Sequence, residues 1–391
     1  MYFYDLLIYM DNHIKYFEDV ILYNGDFYSH KVETVFLHNR MRDNYTFKDI
    51  NTLPINDYND FIEYDHIVLF LCGFHSNMGH LLWDFMYSSW YGLFFKDEKL
   101  WNNNFQWITK DVFYKKDYKG WHPDILEKFS GNEITTPQIL SNKYNKPLRI
   151  KLLISGIKNL GIGCVDKNIC VNTSFKTHIM NPVETFINRF YYRYGIKRHN
   201  YIENKNDIID VIYISNKRPY NGVKELFNDL NIKYKNKYNF KYINWGHYTF
   251  EEQLNILNTT RIIICGVGTA RTNTPFIPNG SIEIQTNHIS KNARNNITYF
   301  DCHIGTISKY VKIFNINSYT DYECKSNLLS KDLLPLIEKT LNIVPYENNF
   351  NVEENLPIYV NNIKSKISED MYSHWRSRFS NNIEDIIIRI K

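Results

Sequence analysis

Apolar residues fall along this chain in short continuous runs, not at one sustained period. In the second half the runs alternate with helical stretches. Residues 211–215 (VIYIS) read as a strand, followed by a turn at 216–221 and a short helix at 223–230. Residues 238–244 form the next strand candidate. Thr249 then opens a helix with the Thr-x-x-Glu spacing of a capping box to Glu252, and Leu254, Ile256 and Leu257 supply its apolar face. Residues 262–265 (IIIC) are apolar without a break, as a parallel strand covered on both faces must be. A glycine-rich turn and a small-residue segment, 269–276, lead to residues 281–285 (SIEIQ). Strand and helix in alternation predict a doubly wound sheet, with the loops after the strands along one edge, where ligands bind.

The first half is less regular. Residues 66–74 (HIVLFLCGF), 105–109 and 149–155 are strand candidates; 81–95 is an aromatic-rich helix and 182–194 another, with Pro182 at its first turn. Residues 195–207 are polar with few apolar anchors and read as a linker. A helix is expected near 331–341, a breaker at Pro345, a polar loop at 348–354 and an amphipathic segment from Glu369 onward. The expected domains are 1–200, 201–345 and a terminal segment 346–391.

Length agrees with this division, since 391 residues suit about two domains of roughly 100–200 residues. A 43% hydrophobic and 23% charged composition is that of a globular chain. Asn, Lys, Ile and Tyr crowd every row, which reads as drift towards AT-rich codons, so lysine content alone says little about partners. The net charge is +4, with the basic residues interleaved among 42 acids instead of gathered in a stripe, so no nucleic-acid partner is expected. No run of about 18 apolar residues suggests a membrane span. The first twenty residues lack the basic start and apolar run of a signal peptide. Six cysteines (Cys72, Cys164, Cys170, Cys265, Cys302, Cys324) show no CxxC and no zinc spacing, and read as reduced thiols of a cytoplasmic protein.

Four constellations carry chemistry. The first follows IIIC: Gly266-Val-Gly268-Thr269-Ala270-Arg271-Thr272-Asn273. Glycines let the backbone approach a ligand, a helix start offers free N–H groups, and Arg271 adds a cation, which together suit a diphosphate. The bland alternative is a tight strand-to-helix turn with a surface arginine. The second is Asn77, His80 and Asp84. Residues three and four apart share one helix face, and a carboxylate can hold a histidine as a base. An exposed His–Asp pair on an amphipathic helix is the competing reading. In the third, Ser215-Asn216-Lys217-Arg218, the arginine is suited to phosphate, or is simply part of a basic turn. In the fourth, residues 245–253 (WGHYTFEEQ), an aromatic is available to stack on a base, or the tryptophan merely packs. Glu283 faces either a ligand or solvent. The tight turn at Gly161 and Gly163 has no polar partners and reads as structural. No HxH, HExxH, DxD or G-x-S-x-G pattern points to a metal site or a serine hydrolase.

Taken in order, these pieces resemble glycosyltransferase family 61. Asn77, His80 and Asp84 resemble its early Asn–His–Asp motif, and Ile214-Ser215-Asn216 with Arg218 its strand end with a following arginine. Phe250-Glu251-Glu252-Gln253 is similar to its F-x-E-Q helix start. Cys265 through Asn273, then Phe276-Ile-Pro278-Asn-Gly280-Ser281 and Glu283, resemble its long glycine-rich block. Val267 stands where the family has histidine, Arg271 where it has leucine, Cys265 where it has the first glycine, and Asn216 where it has arginine. The resemblance implies a GT-B architecture, with two Rossmann-like domains facing a cleft and a C-terminal helix crossing back to the first. It implies an inverting, metal-independent transfer from a nucleotide-diphosphate sugar, foremost a UDP-sugar, to a glycan or protein hydroxyl, with no other cofactor. It implies Asp84, His80 and Asn77 as the catalytic group. Donor contacts would come from Arg218, Phe250, Glu252, Gln253, Gly268, Thr269, Ala270, Arg271, Thr272, Asn273 and Glu283. The rivals are an inactive glycan-binding scaffold on the same fold, favoured by Val267, and another GT-B-like polysaccharide-modifying transferase.

Overall fold

A computed structural model of the chain describes residues 14–38, 43–54, 60–71, 78–110, 122–156, 182–202, 208–215, 222–266, 269–289, 312–319, 328–345 and 358–359. The chain divides into two compact units, Met1–Tyr194 and Gly195–Lys391.

The first unit is built on a mixed sheet. Its strands are β1 (Lys15–Tyr23), β2 (Asp26–Ser29), β5 (Lys48–Asp49), β6 (Ile62–Tyr64), β7 (Ile67–Leu71), β8 (Phe105–Thr109) and β9 (Leu148–Ser155), while β3 (Thr34–His38) and β4 (Asp43–Thr46) form a separate hairpin. The order is β5-β2-β1-β9-β7-β8, with β6 pairing the start of β9. The sheet is mixed: β7 runs parallel to β8 and β9, but β1 runs antiparallel to both β2 and β9. The β1–β2 hairpin turns at Asn24 and Gly25, both at positive φ (50° and 84°), the geometry of a two-residue primed turn.

Aromatic rings fill this core. Phe186, on the helix Pro182–Arg193, lies against Trp83, Tyr87, Trp90, Phe129 and Phe190, with centroids 5.1–5.5 Å away. The expected helix at 81–95 is present but not uniform. Residues His80–Tyr87 are wound as a π-helix, and the α-helix Ser88–Lys96 continues it. The hydroxyl of Ser88 donates to the Trp83 carbonyl five residues back (3.2 Å) and that of Ser89 to the Phe85 carbonyl, so two side chains help satisfy the carbonyls of the widened turns.

The second unit carries the regular sheet expected of it. Its strands are β10 (Ile209–Ser215), β11 (Phe240–Asn244), β12 (Thr260–Gly266), β13 (Ile282–Ile289), β14 (Lys312–Tyr319) and β15 (Ile358–Tyr359), all parallel, in the order β11-β10-β12-β13-β14-β15. Val211, Tyr213, Ile262, Ile264, Ile282 and Ile284 form one core with two helices. The helix Val223–Lys233 contributes Val223, Leu226, Phe227 and Leu230, and the helix Leu328–Ile343 contributes Leu333, Leu336, Ile337 and Leu341, both at helical spacing. Strand alternation turns Ile212, Ile214, Ile263, Cys265, Glu283 and Gln285 to the opposite face.

The polar stretch expected to act as a linker is fastened to this second unit over 195–202. Asn258 receives the His199 N–H (2.7 Å) and donates to the Lys197 carbonyl (2.9 Å), while Ile202 donates to Asn279 and is itself buried. One asparagine thus does what apolar anchors would otherwise do. Residues 157–181, which include Gly161 and Gly163, the turn at 216–221 and the segment from Glu369 lie outside the described residues. Among the described residues no helix is long and apolar enough to cross a membrane.

Candidate functional site

In a parallel sheet every strand ends on the same edge, so register decides which loops are neighbours. Ser215 pairs with Asn244, and Ile214 with Cys265, so Asn244, Ser215 and Gly266 stand level at the ends of β11, β10 and β12. Three of the four constellations read from the sequence therefore spring from one edge.

Beyond Gly266 the chain forms a 3-10 helix, Thr269–Phe276. The expected helix start is thus of the tighter kind, and Pro275, which has no N–H, sits inside it. Ala270, Thr272, Asn273 and Thr274 are all buried. The Asn273 Oδ1 and Thr274 Oγ1 atoms have no hydrogen-bond partner among the described residues. Val267 and Gly268 lie outside the described residues, and of Thr269 and Arg271 only the backbone is described. Arg218 and Asn216 also fall outside.

On the sheet beside this helix lies a buried polar strip that the sequence reading anticipated in only one residue. Glu283, expected to face a ligand or solvent, does not face solvent: it is fully buried, and the Cys265 thiol donates to its Oε1 at 3.1 Å. Gln285, level with Cys265 across the β12–β13 pair, is equally buried, and neither atom of its amide has a partner among the described residues. The Thr286 hydroxyl donates to the Cys265 carbonyl (3.3 Å), so Cys265 is tied to β13 by both side chain and main chain immediately before the glycine turn. The alternation of SIEIQ was the available signal, because it puts Glu283 and Gln285 on one face.

The residues of the F-x-E-Q helix start turn out to be engaged within the protein. Thr249 and Glu252 form the expected capping box: the Thr249 N–H and hydroxyl both donate to Glu252 Oε2 (2.7 and 2.9 Å), and the Glu252 N–H donates back to Thr249 Oγ1 (3.3 Å). The bond from the Thr249 N–H, and then that from its hydroxyl, hold the Glu252 carboxyl below the usual carboxylate range. Phe250 is buried and meets Phe276 edge to face at 6.3 Å, so its ring joins the helix Phe250–Asn258 to the 3-10 helix. Gln253 donates from Nε2 to the carbonyls of Trp245 (3.2 Å) and Tyr248 (3.0 Å). These side chains shape the turn before the helix; Asn244, Gly246, His247, Thr249, Glu251 and Glu252 are exposed there.

The second half of the glycine-rich block lies at the other end of β13. Gly280 has φ +82°, and a Cβ there would stand 3.0 Å from the Tyr201 ring. The Ser281 hydroxyl donates to the Thr260 carbonyl (3.0 Å). This turn leads the chain into β13 and plays a structural part.

In the first unit, His80 and Asp84 lie four apart in the π-helix, preceded by Gly79, while Asn77 lies outside the described residues and the side chains of His80 and Asp84 are not described. The apolar side of the segment is settled: Leu81, Leu82, Trp83, Phe85 and Met86 are all buried. Among the described residues no three His, Cys, Asp or Glu side chains gather as metal ligands would.

Comparison with known proteins bears on this arrangement directly. No curated protein matches the chain. The family model Glycosyltransferase 61 matches residues 78–284, from just before the π-helix to the third residue of β13 and just over half of the chain. That span takes in the π-helix, the edge at Ser215, Asn244 and Gly266, and the buried Glu283 in a single alignment. The chain therefore belongs to glycosyltransferase family 61 and is a glycosyltransferase, an enzyme with a sugar donor and an acceptor as its substrates.

Proposed function

We propose that the protein is an inverting glycosyltransferase that moves a sugar from a nucleotide-diphosphate donor, foremost a UDP-sugar, to a hydroxyl of a glycan or protein. The observation that carries this reading is the level edge formed by Asn244, Ser215 and Gly266 in a parallel sheet, with a glycine-rich turn leaving it inside the family match. A diphosphate suits such an edge because main-chain N–H groups at a helix start complement negative charge. Arg218 and Arg271 supply the cations. The arrangement of roles calls for a GT-B architecture, with the acceptor side carried by the first unit and the donor side by the second.

In the reaction the acceptor oxygen attacks the anomeric carbon on the face opposite the leaving group. Asp84, oriented by His80 and Asn77, takes the hydroxyl proton. The bond from the anomeric carbon to the diphosphate oxygen breaks, and its electron pair leaves with the diphosphate. Arg218, Arg271 and the N–H groups from Gly268 to Asn273 stabilise the charge that grows there, so the step is written without a metal. Glu252 and Gln253 act by fixing the turn beside the donor, Phe250 by holding the 3-10 helix, and Glu283 through the ribose side of the pocket.

Incubation with a panel of UDP-, GDP- and TDP-sugars, with release of free sugar as the readout, tests the reading. Slow hydrolysis of at least one UDP-sugar, reduced in Arg271→Ala, is expected. Release from none of the panel would overturn the donor assignment.

A further inference from the structure

The donor assignment leaves one question that the geometry of the edge addresses: what holds the base of the nucleotide. Phe250 is buried against Phe276, and the Gln253 amide is engaged with two carbonyls, so neither presents a free aromatic or donor group to a base. The turn that Gln253 braces is different. Trp245–His247 is a 3-10 turn directly after β11; Trp245 is half-buried, and Asn244, Gly246 and His247 are exposed. Hydrogen bonds brace it from within. Asn244 Oδ1 accepts the Gly246 N–H (3.2 Å), Asn244 Nδ2 lies 3.3 Å from His247 Nε2, and Gln253 ties the carbonyls on either side of the turn. Beneath it the Tyr242 hydroxyl bonds to Ser215 Oγ (3.2 Å), and Tyr242 stacks on Tyr213.

This turn stands level with Gly266 and two strands away, in the order β11-β10-β12. Two strand spacings are about 10 Å, which an extended nucleoside diphosphate spans when its phosphates sit at the glycine turn. A partly buried indole carried on a backbone turn braced in this way has less freedom to lose on binding a flat ring, and stacking on an aromatic face is strong and tolerant of which base is stacked.

We infer that Trp245 is the nucleobase platform of the donor site, with His247 and Asn244 at its rim. The inference rests on the donor reading proposed above. It assigns base binding to the turn before the Phe250 helix and gives Phe250, Glu252 and Gln253 a positioning role.

Calorimetric titration of UDP, GDP and inorganic pyrophosphate against the wild type, Trp245→Ala and Trp245→Phe separates the two. Trp245→Ala is expected to weaken UDP and GDP by a similar factor, about 5- to 100-fold, and to leave pyrophosphate unchanged, while Trp245→Phe keeps most of the affinity. Unchanged UDP affinity in Trp245→Ala would overturn the platform while leaving the donor reading in place. Equal loss of UDP and pyrophosphate would also overturn it, because the residue would then be shaping the phosphate site. A wild type that binds pyrophosphate but none of the nucleotides removes the donor reading and the platform together.

Discussion

Two buried polar clusters, one in each unit, are satisfied in opposite ways. In the first, Arg189 is wholly buried, and its guanidinium donates to the carbonyls of Trp101 (2.8 Å), Asn103 (3.0 Å) and Phe129 (2.7 and 2.9 Å) between the rings of Phe105 and Phe129. Burial, and then repulsion from Arg193, push its pKa down, yet its donors are used. In the second, Gln285, Asn273 and Thr274 are just as buried and keep polar atoms with no partner among the described residues. An unmade buried hydrogen bond costs about 1–3 kcal/mol. The first arrangement is a finished joint that locks helix ends to strand ends. The second keeps hydrogen-bonding capacity on the strand and 3-10 helix that flank the glycine turn. At these two places buried polarity marks a joint of the scaffold and the neighbourhood of the site, although Asn102 Oδ1 and Arg193 Nε are buried atoms of the first unit that also have no partner among the described residues.

Variants on each side should keep that division. The largest effect is expected at Asp84, whose replacement by asparagine should lower transfer on the order of 100- to 10,000-fold while leaving UDP affinity as in the wild type. Full activity in Asp84→Asn, measured by product formation, would remove it as the base. Arg271→Ala should lower turnover on the order of 10- to 1000-fold and weaken donor binding as well, seen in both kcat and KM. On the scaffold side, Arg189→Met should leave at least two carbonyls without donors and destabilise the first unit by about 3 kcal/mol in urea. Arg189→Lys should recover only part of that, since an ammonium lacks the planar fork. The smallest effect is at the capping box, where Thr249→Ala should cost about 1 kcal/mol. The Glu252 carboxyl is lowered on folding, so its contribution is present above the usual carboxylate range and is lost as pH falls through its lowered value. A Glu252→Gln variant should therefore differ from the wild type at neutral pH and converge with it in acid, as read by urea unfolding at each pH.

What the sequence made legible follows the range of the interactions involved. The runs VIYIS and IIIC and the Thr249–Glu252 box are local rules, and the structure has them where the pattern put them. The Asn24-Gly25 hairpin is equally local, since Asn-Gly is the strongest short signal of a primed turn, but the strands around it lack the clean alternation that marks a hairpin in sequence. The antiparallel pairing of β1 with β9 joins residues more than 120 positions apart, and no local signal announces it. The π-winding of His80–Tyr87 has no sequence signature beyond its crowded aromatics. At the site, the edge was legible because parallel strands share it. The inward engagement of Phe250 and Gln253 was not, because residue type alone does not say whether a polar or aromatic group faces a ligand or its own fold.

The edge at Asn244, Ser215 and Gly266 is proposed to hold a nucleoside diphosphate. Thermal unfolding with and without millimolar UDP tests it most directly. Binding at a hundredfold excess over Kd adds about 2.7 kcal/mol, so a rise in Tm of a few degrees is predicted for the wild type and for Asp84→Asn, with a smaller rise for Arg271→Ala. No rise in the wild type with UDP, GDP or TDP would contradict the account.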